Sequence, residues 1–312
     1  MAGFKDVLAV LAAVGLLSAA AEAVCRAAPP GAVAPANTVS PLVLTAPEKD
    51  RGLVDPTTQF VRQHLPESTF SEQYPRFRDG ICVRAIGLPP EFDAYIEKRL
   101  VDIAAEVKAP LAKASSCTPN VHVIFTTEPQ NLLSDIAKRK DILLGFYWNE
   151  TGLRRLAAVK RPIGAWYVTR TRDKNGESRL EIHDPTDYLN PRVGRAGSRL
   201  SNGMSSEIVH TLIVADSNKV AGQKIEAIAD YVAVLALAKW QGLERCNGLH
   251  TILNLLADGC DVSERPDGAT RADLALLRGL YSVETQVTGS QQRMAIASRI
   301  RAAEKVADEA GR

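Results

Sequence analysis

The sequence lacks the signatures that name a chemistry outright. It has no His-Glu-x-x-His helix for zinc, no glycine-rich phosphate loop and no Gly-x-Ser-x-Gly elbow. The nearest stretches fall short. Gly194-Arg195-Ala196-Gly197 has too few glycines and no following Lys-Ser, and Gly203-Met204-Ser205-Ser206-Glu207 lacks the second glycine. No two of the histidines, His64, His122, His183, His210 and His250, stand at zinc-site spacing. No metal and no cofactor is therefore expected. An excess of positive charge is also missing: 38 Lys and Arg against 36 Asp and Glu leave +2. That argues against a nucleic-acid binder, which usually shows a basic stripe. Lys138-Arg139-Lys140 is too short for a phosphate-tracking groove and reads as a solvated helix end. Beyond the first residues no apolar run is long enough to span a bilayer. There is no internal repeat.

What is present begins with an export leader. Lys5 supplies the positive start, Val7 to Leu17 the apolar stretch, and Ala21-Glu22-Ala23 a small-x-small cleavage site, giving a signal peptide over 1–23. Glu22 ends the apolar run short of the roughly 20 residues a membrane anchor needs. Val24 before Cys25 is wrong for a lipid attachment site. The mature chain is thus expected in the periplasm or the medium, with no membrane span after leader removal. An oxidising compartment makes cysteines pair. Closeness in sequence couples Cys82 with Cys117 and Cys246 with Cys260, leaving Cys25 over. Free buried thiols are the competing reading.

Residues 24–47 are rich in Ala and Pro and poor in large apolar groups, so they read as a disordered linker. Residues 48–80 read as an irregular arm, 81–285 as the folded domain and 286–312 as a charged helical tail, loosely docked. Within the domain, Ile81–Ile86 reads as a strand. Apolar residues at helical spacing from Phe92 to Leu111 predict a helix from Pro90 to Lys113, kinked by Pro110. Val121–Phe125 reads as a strand, and Thr127 as the cap of a helix over Pro129–Lys138. Ile163–Arg172 and Ser178–His183 flank Asp173–Glu177, whose Asn-Gly suits a hairpin turn. Asn190–Gly203 reads as a loop and Ser206–Ala215 as a strand. Helices come next over Gln223–Trp240, Leu249–Ala257 and Thr270–Tyr281, the last with a capping box from Thr270 and Asp273. The order implies an α+β fold, a mixed, mostly antiparallel sheet covered by helices.

Few residues suggest catalysis. Glu226 and Asp230 lie one helical turn apart and could hold a metal ion or do acid–base work, although a solvated helix face is the plainer reading. His183 stands beside Asp184 at a strand end, where a carboxylate could orient an imidazole. His210, among apolar neighbours, reads as a core or edge histidine. Paired cysteines leave no thiol nucleophile.

Four segments carry a resemblance: Pro119-Asn120-Val121-His122-Val123-Ile124-Phe125, the strand Ile208–Ala215, the helix Lys224–Leu237, and Ala272-Asp273-Leu274-Ala275-Leu276-Leu277-Arg278-Gly279-Leu280-Tyr281. They are similar to exported proteobacterial proteins whose C-terminal part looks like a metallopeptidase (zincin) domain. The resemblance covers about the last two-thirds of the chain and implies a zincin-like arrangement. The departure is sharp. Ala229 and Ala233 stand where the two zinc histidines would be, and Asp230 where the water-activating Glu would be. A methyl group has no lone pair to donate. The resemblance therefore implies a peptidase-like scaffold without its metal centre. Together with the export leader, the expected disulfides and the lack of another catalytic set, it leads to the expectation of a pseudoenzyme that binds a peptide or protein partner in the cell envelope along a sheet edge. The alternative is a cell-envelope hydrolase using Glu226, Asp230 or the His183–Asp184 pair. A third is a purely structural envelope protein held by its arm and tail.

Overall fold

Alternating burial along one strand and a long apolar run along another set the middle of a mixed sheet. The structure, a computed structural model, describes residues 55–113, 117–145, 149–181, 203–285 and 287–310. The expected leader and linker, and His183 with Asp184, lie outside them. The described residues all belong to the compact unit Arg51–Arg312.

In chain order the strands are β1 (Arg76–Phe77), β2 (Val83–Ile86), β3 (Val121–Thr126), β4 (Ile163–Asp173), β5 (Ser178–Leu180) and β6 (Met204–Asp216). The sheet order is β2-β3-β6-β4-β5, with β1 also beside β6. Strands β1, β2, β3 and β6 run parallel, while β4 runs antiparallel to β6 and β5 to β4. The α-helices are α1 (Pro56–His64), α2 (Pro90–Glu106), α3 (Pro129–Arg139), α4 (Glu150–Leu156), α5 (Ser217–Val220), α6 (Ile225–Leu237), α7 (Arg271–Ser282) and α8 (Gly289–Ala310). The fold class is α+β, as expected.

Each face of the sheet packs its own core. Val121, Val123 and Phe125 join α2, α6, α7 and α8 in the larger one, and Leu212, Val214 and Trp166 meet Leu133, Leu144 and Ala157 in the smaller. A bulge between β4 and β6 changes which residues face which core. Val168 pairs with His210 but Thr169 pairs with Ile208, so Val209 is the extra residue. Beyond it the alternation on β6 is reversed, and Ser206 and Ile208 share a face with Thr169 and Thr171.

Helix α6 is the core's axis, buried at every position from Ala227 to Leu237. A helix leaves its last four carbonyls without intrahelical donors. Here four side chains supply them. Trp240 Nε1 donates to Val234 O at 3.0 Å, Tyr167 Oη to Leu235 O at 2.7 Å, Thr211 Oγ1 to Ala236 O at 3.3 Å and Tyr281 Oη to Leu237 O at 2.7 Å.

Several local expectations are corrected. Helix α2 stops at Glu106 instead of running to Lys113, because Lys108 turns left-handed at φ 61° and Pro110 cannot continue the ladder. The cap of α3 is Glu128, not Thr127: Glu128 N–H donates to Thr126 Oγ1 at 3.1 Å, and Pro129 takes the first helical position. Ile252–Leu256 forms a 3-10 turn in place of an α-helix. Thr251 Oγ1 accepts from Leu253 N, and the Asn254 amide donates to Asn247 O and Leu249 O, so side chains hold the backbone in a tighter course.

The segment expected as an irregular arm contains α1 and β1. Asp55 caps α1 through Thr58 N, Pro56 starts it, and Phe60 and Val61 enter the core. The tail does not dock loosely. Ile296, Ala297 and Ile300 of α8 are fully buried, and Gln292 Oε1 accepts from Tyr74 N at 3.0 Å. Gly279 of α7 makes the close approach possible, since a Cβ there would sit 3.0 Å from Ile296 Cα. The hairpin agrees with expectation: Asp173 Oδ1 accepts from Asn175 N and Glu177 N, and Gly176 takes φ 87°. So does the Thr270–Asp273 capping box.

Candidate functional site

Glu226 and Asp230 lie on one cleft, which Tyr95, Lys98, Arg99 and Asp102 of α2 also line. Their environments differ. Glu226 is exposed in the first turn of α6, whereas Asp230, one turn on, is buried. Asp230 is not part of a solvated face. Its Oδ1 accepts from Arg99 Nε, and its Oδ2 accepts from Arg99 Nη2 at 3.0 Å and from Ala269 N at 2.7 Å. The hydrogen bond to Asp230 holds the Arg99 guanidinium above its ordinary pKa. Both carboxylate oxygens are thus occupied by fixed donors. The arrangement ties α2, α6 and the start of α7 together.

The residues one position before and three after Asp230 face the core. Ala229 and Ala233 are wholly inaccessible to solvent. Neither the side-chain chemistry nor the space for a metal is present at them.

A second cluster was not visible in the sequence. Glu181, buried just after β5, accepts from four hydroxyls: Ser68 Oγ (2.7 Å), Thr171 Oγ1 (2.8 Å) and Ser206 Oγ (2.8 Å) on Oε1, and Thr169 Oγ1 (2.6 Å) on Oε2. The Val209 bulge brings Ser206 to this side. It also turns Glu207 to the opposite side, where Arg170 Nε and Arg172 Nε donate to it at 2.7 and 2.9 Å. Lys239, after α6, lies near Glu181, and burial lowers its pKa against the opposing pull of that carboxylate. Serine and threonine protons all directed to one carboxylate make a cross-link between Ser68, β4 and β6. The alternation Thr169-x-Thr171 is the only trace of it in the sequence.

Spacing in the sequence pairs no histidines, but the sheet pairs two. His122 Nδ1 and His210 Nε2 share a hydrogen bond at 2.8 Å across β3 and β6. Burial, then the charge of His122, pushes His210 down to about 4, and burial and the Arg84 charge lower His122. Both rings are thereby held neutral at physiological pH.

The cysteines pair as expected, Cys82 with Cys117 and Cys246 with Cys260. Glu264 stands beside the second pair, with Oε2 3.5 Å from Cys246 Sγ. As a disulfide those sulfurs are not thiolate ligands. Among the described residues, no other group of three His, Cys, Asp or Glu side chains is placed to hold an ion. His183 and Asp184 lie outside the described residues. No helix among the described residues is long and apolar enough to cross a membrane. In comparison with known proteins, the chain matches no protein-family model, no curated protein and no solved structure.

Proposed function

We propose that the chain is an exported, non-catalytic protein whose domain is a metallopeptidase-like scaffold without its metal centre, and that it binds a peptide or protein partner along a sheet edge. The observation that carries this reading is the state of α6. Where zinc ligands would stand, Ala229 and Ala233 are packed in the core, and the acid between them is held by Arg99 and Ala269 N–H. Two disulfides fit an oxidising compartment.

The register favours one edge over the other. At β2 the outward Ala85 N–H is already taken by Glu97 Oε1 at 2.9 Å, which closes that end to an added strand. At β5 the bonds Asp173 N to Glu177 O and Glu181 N to Thr169 O turn the odd-numbered residues toward β4. Ser178 and Leu180 therefore direct their backbone groups away from the sheet, toward an incoming strand.

A hydrolase is the second reading, and the cleft holding Glu226 and Asp230 beside Lys98 and Asp102 is what favours it. The occupied oxygens of Asp230 count against it.

The test combines metal content, proteolysis and capture of extended peptides from a synthetic library. The expected result is no stoichiometric zinc, no chelator-sensitive cleavage of a denatured protein, and capture that Ser178→Pro abolishes without changing the melting transition. Proline there removes an outward N–H and no ladder bond. Bound zinc at one per chain, with proteolysis lost on chelation, would overturn the reading.

A further inference from the structure

A small cavity of about 150 Å³ lies between α3, the turn after α4 and the first residues of β4. None of its lining residues belongs to the Asp230 cleft or to β5, so a ligand there is independent of both. Its floor is apolar, made by Leu133 and the Trp166 ring among others. Trp166 is fixed in place. Its Nε1 donates to Leu156 O at 2.8 Å, and Gly164 leaves room for the ring, since a Cβ there would come within 2.6 Å of it.

The polar lining is strongly cationic. Arg155, Lys160 and Arg161 converge on the cavity against one acid, Glu244. Arg155 and Lys160 are exposed, and Arg161 is half-buried. Arg161 Nη1 is buried and has no hydrogen-bond partner among the described residues. That nitrogen is shut off from solvent, so an anion in the cavity would meet the part of the guanidinium that lines it, beside Arg155 and Lys160. A cavity of this volume accommodates a body about the size of a benzene ring.

We propose that this cavity binds a carboxylate carried on a small apolar or aromatic body, with Arg161 on the carboxylate and Leu133 and Trp166 against the body. Two sources offer that chemistry, a free small carboxylic acid and the C-terminal residue of a peptide. Calorimetry on the full mature chain separates them. The probes are benzoate, neutral benzamide, inorganic phosphate, and a short peptide ending in Phe with its terminus either free or amidated.

Binding of benzoate, of the free-ended peptide, or of both is expected, with benzamide and the amidated peptide failing. Benzoate alone identifies a small-acid site, and the peptide alone a chain-end site. Arg161→Gln should weaken binding by roughly tenfold or more. Arg155→Gln and Lys160→Gln, which alter exposed positions and leave the core untouched, should each weaken it less and reduce its salt dependence. Phosphate binding as tightly as benzoate would overturn the apolar part of the assignment. No saturable binding of either carboxylate, or binding unchanged in all three variants, would overturn the site altogether.

Discussion

Arg99 of α2 and Asp230 of α6 form a bidentate ion pair across the packed faces of the two helices, and Ala269 N–H completes the shell of the carboxylate. This pair explains why the one buried acid on α6 is structural. It also says what its loss should do. Asp230→Ala leaves a guanidinium and a backbone N–H without their acceptor, at a cost of about 3 kcal/mol. Denaturant unfolding should show it as a lower midpoint with an unchanged slope. Replacing both partners, as Arg99→Met with Asp230→Leu, should recover part of the loss.

The carbonyl end of α6 gives a separate prediction. Tyr167→Phe and Tyr281→Phe each keep the ring and remove the donor to a buried carbonyl. Each should cost about 1–2 kcal/mol. Because the two hydroxyls bond different carbonyls, a departure from additivity in the double variant would reveal movement of the whole helix end.

The His122–His210 pair predicts the acid side of the stability profile. Burial lowers both folded-state values, helped by the His122 charge at His210 and by the Arg84 charge at His122, so folding favours the neutral rings. Their contribution is complete above the unfolded value of 6.5 and is lost as pH falls below it, that of His210 toward about 4. The free energy of unfolding should fall through that window by about 2 kcal/mol once the partly wetted rings are allowed for, and the melting temperature should fall with it. His210→Gln should flatten the drop, and a profile left unaltered by it would assign the acid sensitivity to other groups.

The disulfides predict a thiol count and a stability change. The unfolded, unreduced mature chain should show no reactive thiol apart from Cys25. Opening Cys246–Cys260, which spans 14 residues, should cost about 3 kcal/mol, and opening Cys82–Cys117, which spans 35, about 4 kcal/mol. Unfolding of the paired Ser variants measures both.

Features written in short stretches of sequence were legible beforehand. Asn175-Gly176 carries its own turn chemistry, Thr270 with Asp273 its own cap, and Val121–Phe125 its own β-branched pattern. The α+β class came from the order of such pieces. Features decided by register were not legible. His122 and His210 are 88 residues apart and meet only because β3 and β6 align as they do. The Glu181 cluster depends on the single extra residue Val209, and periodicity gives no sign of a one-residue bulge. Lys108 ends α2 by turning left-handed without the glycine that would announce it. The one-turn spacing of Glu226 and Asp230 was legible, but not the arginine from another helix that pairs with the second of them.

Helix α8 has a bearing on how the molecule comes apart. It packs on α7 and also meets the earliest described elements: Arg301 pairs with Asp55, and Arg293 with Glu67 and Tyr74. The first and last parts of this domain are each other's supports. The core stays open on one side until Ile296, Ala297 and Ile300 of α8 are seated in it. Removing α8 would strip α1 of its brace and expose the face of α7 that α8 covers, so the two ends of the domain should be lost together on unfolding.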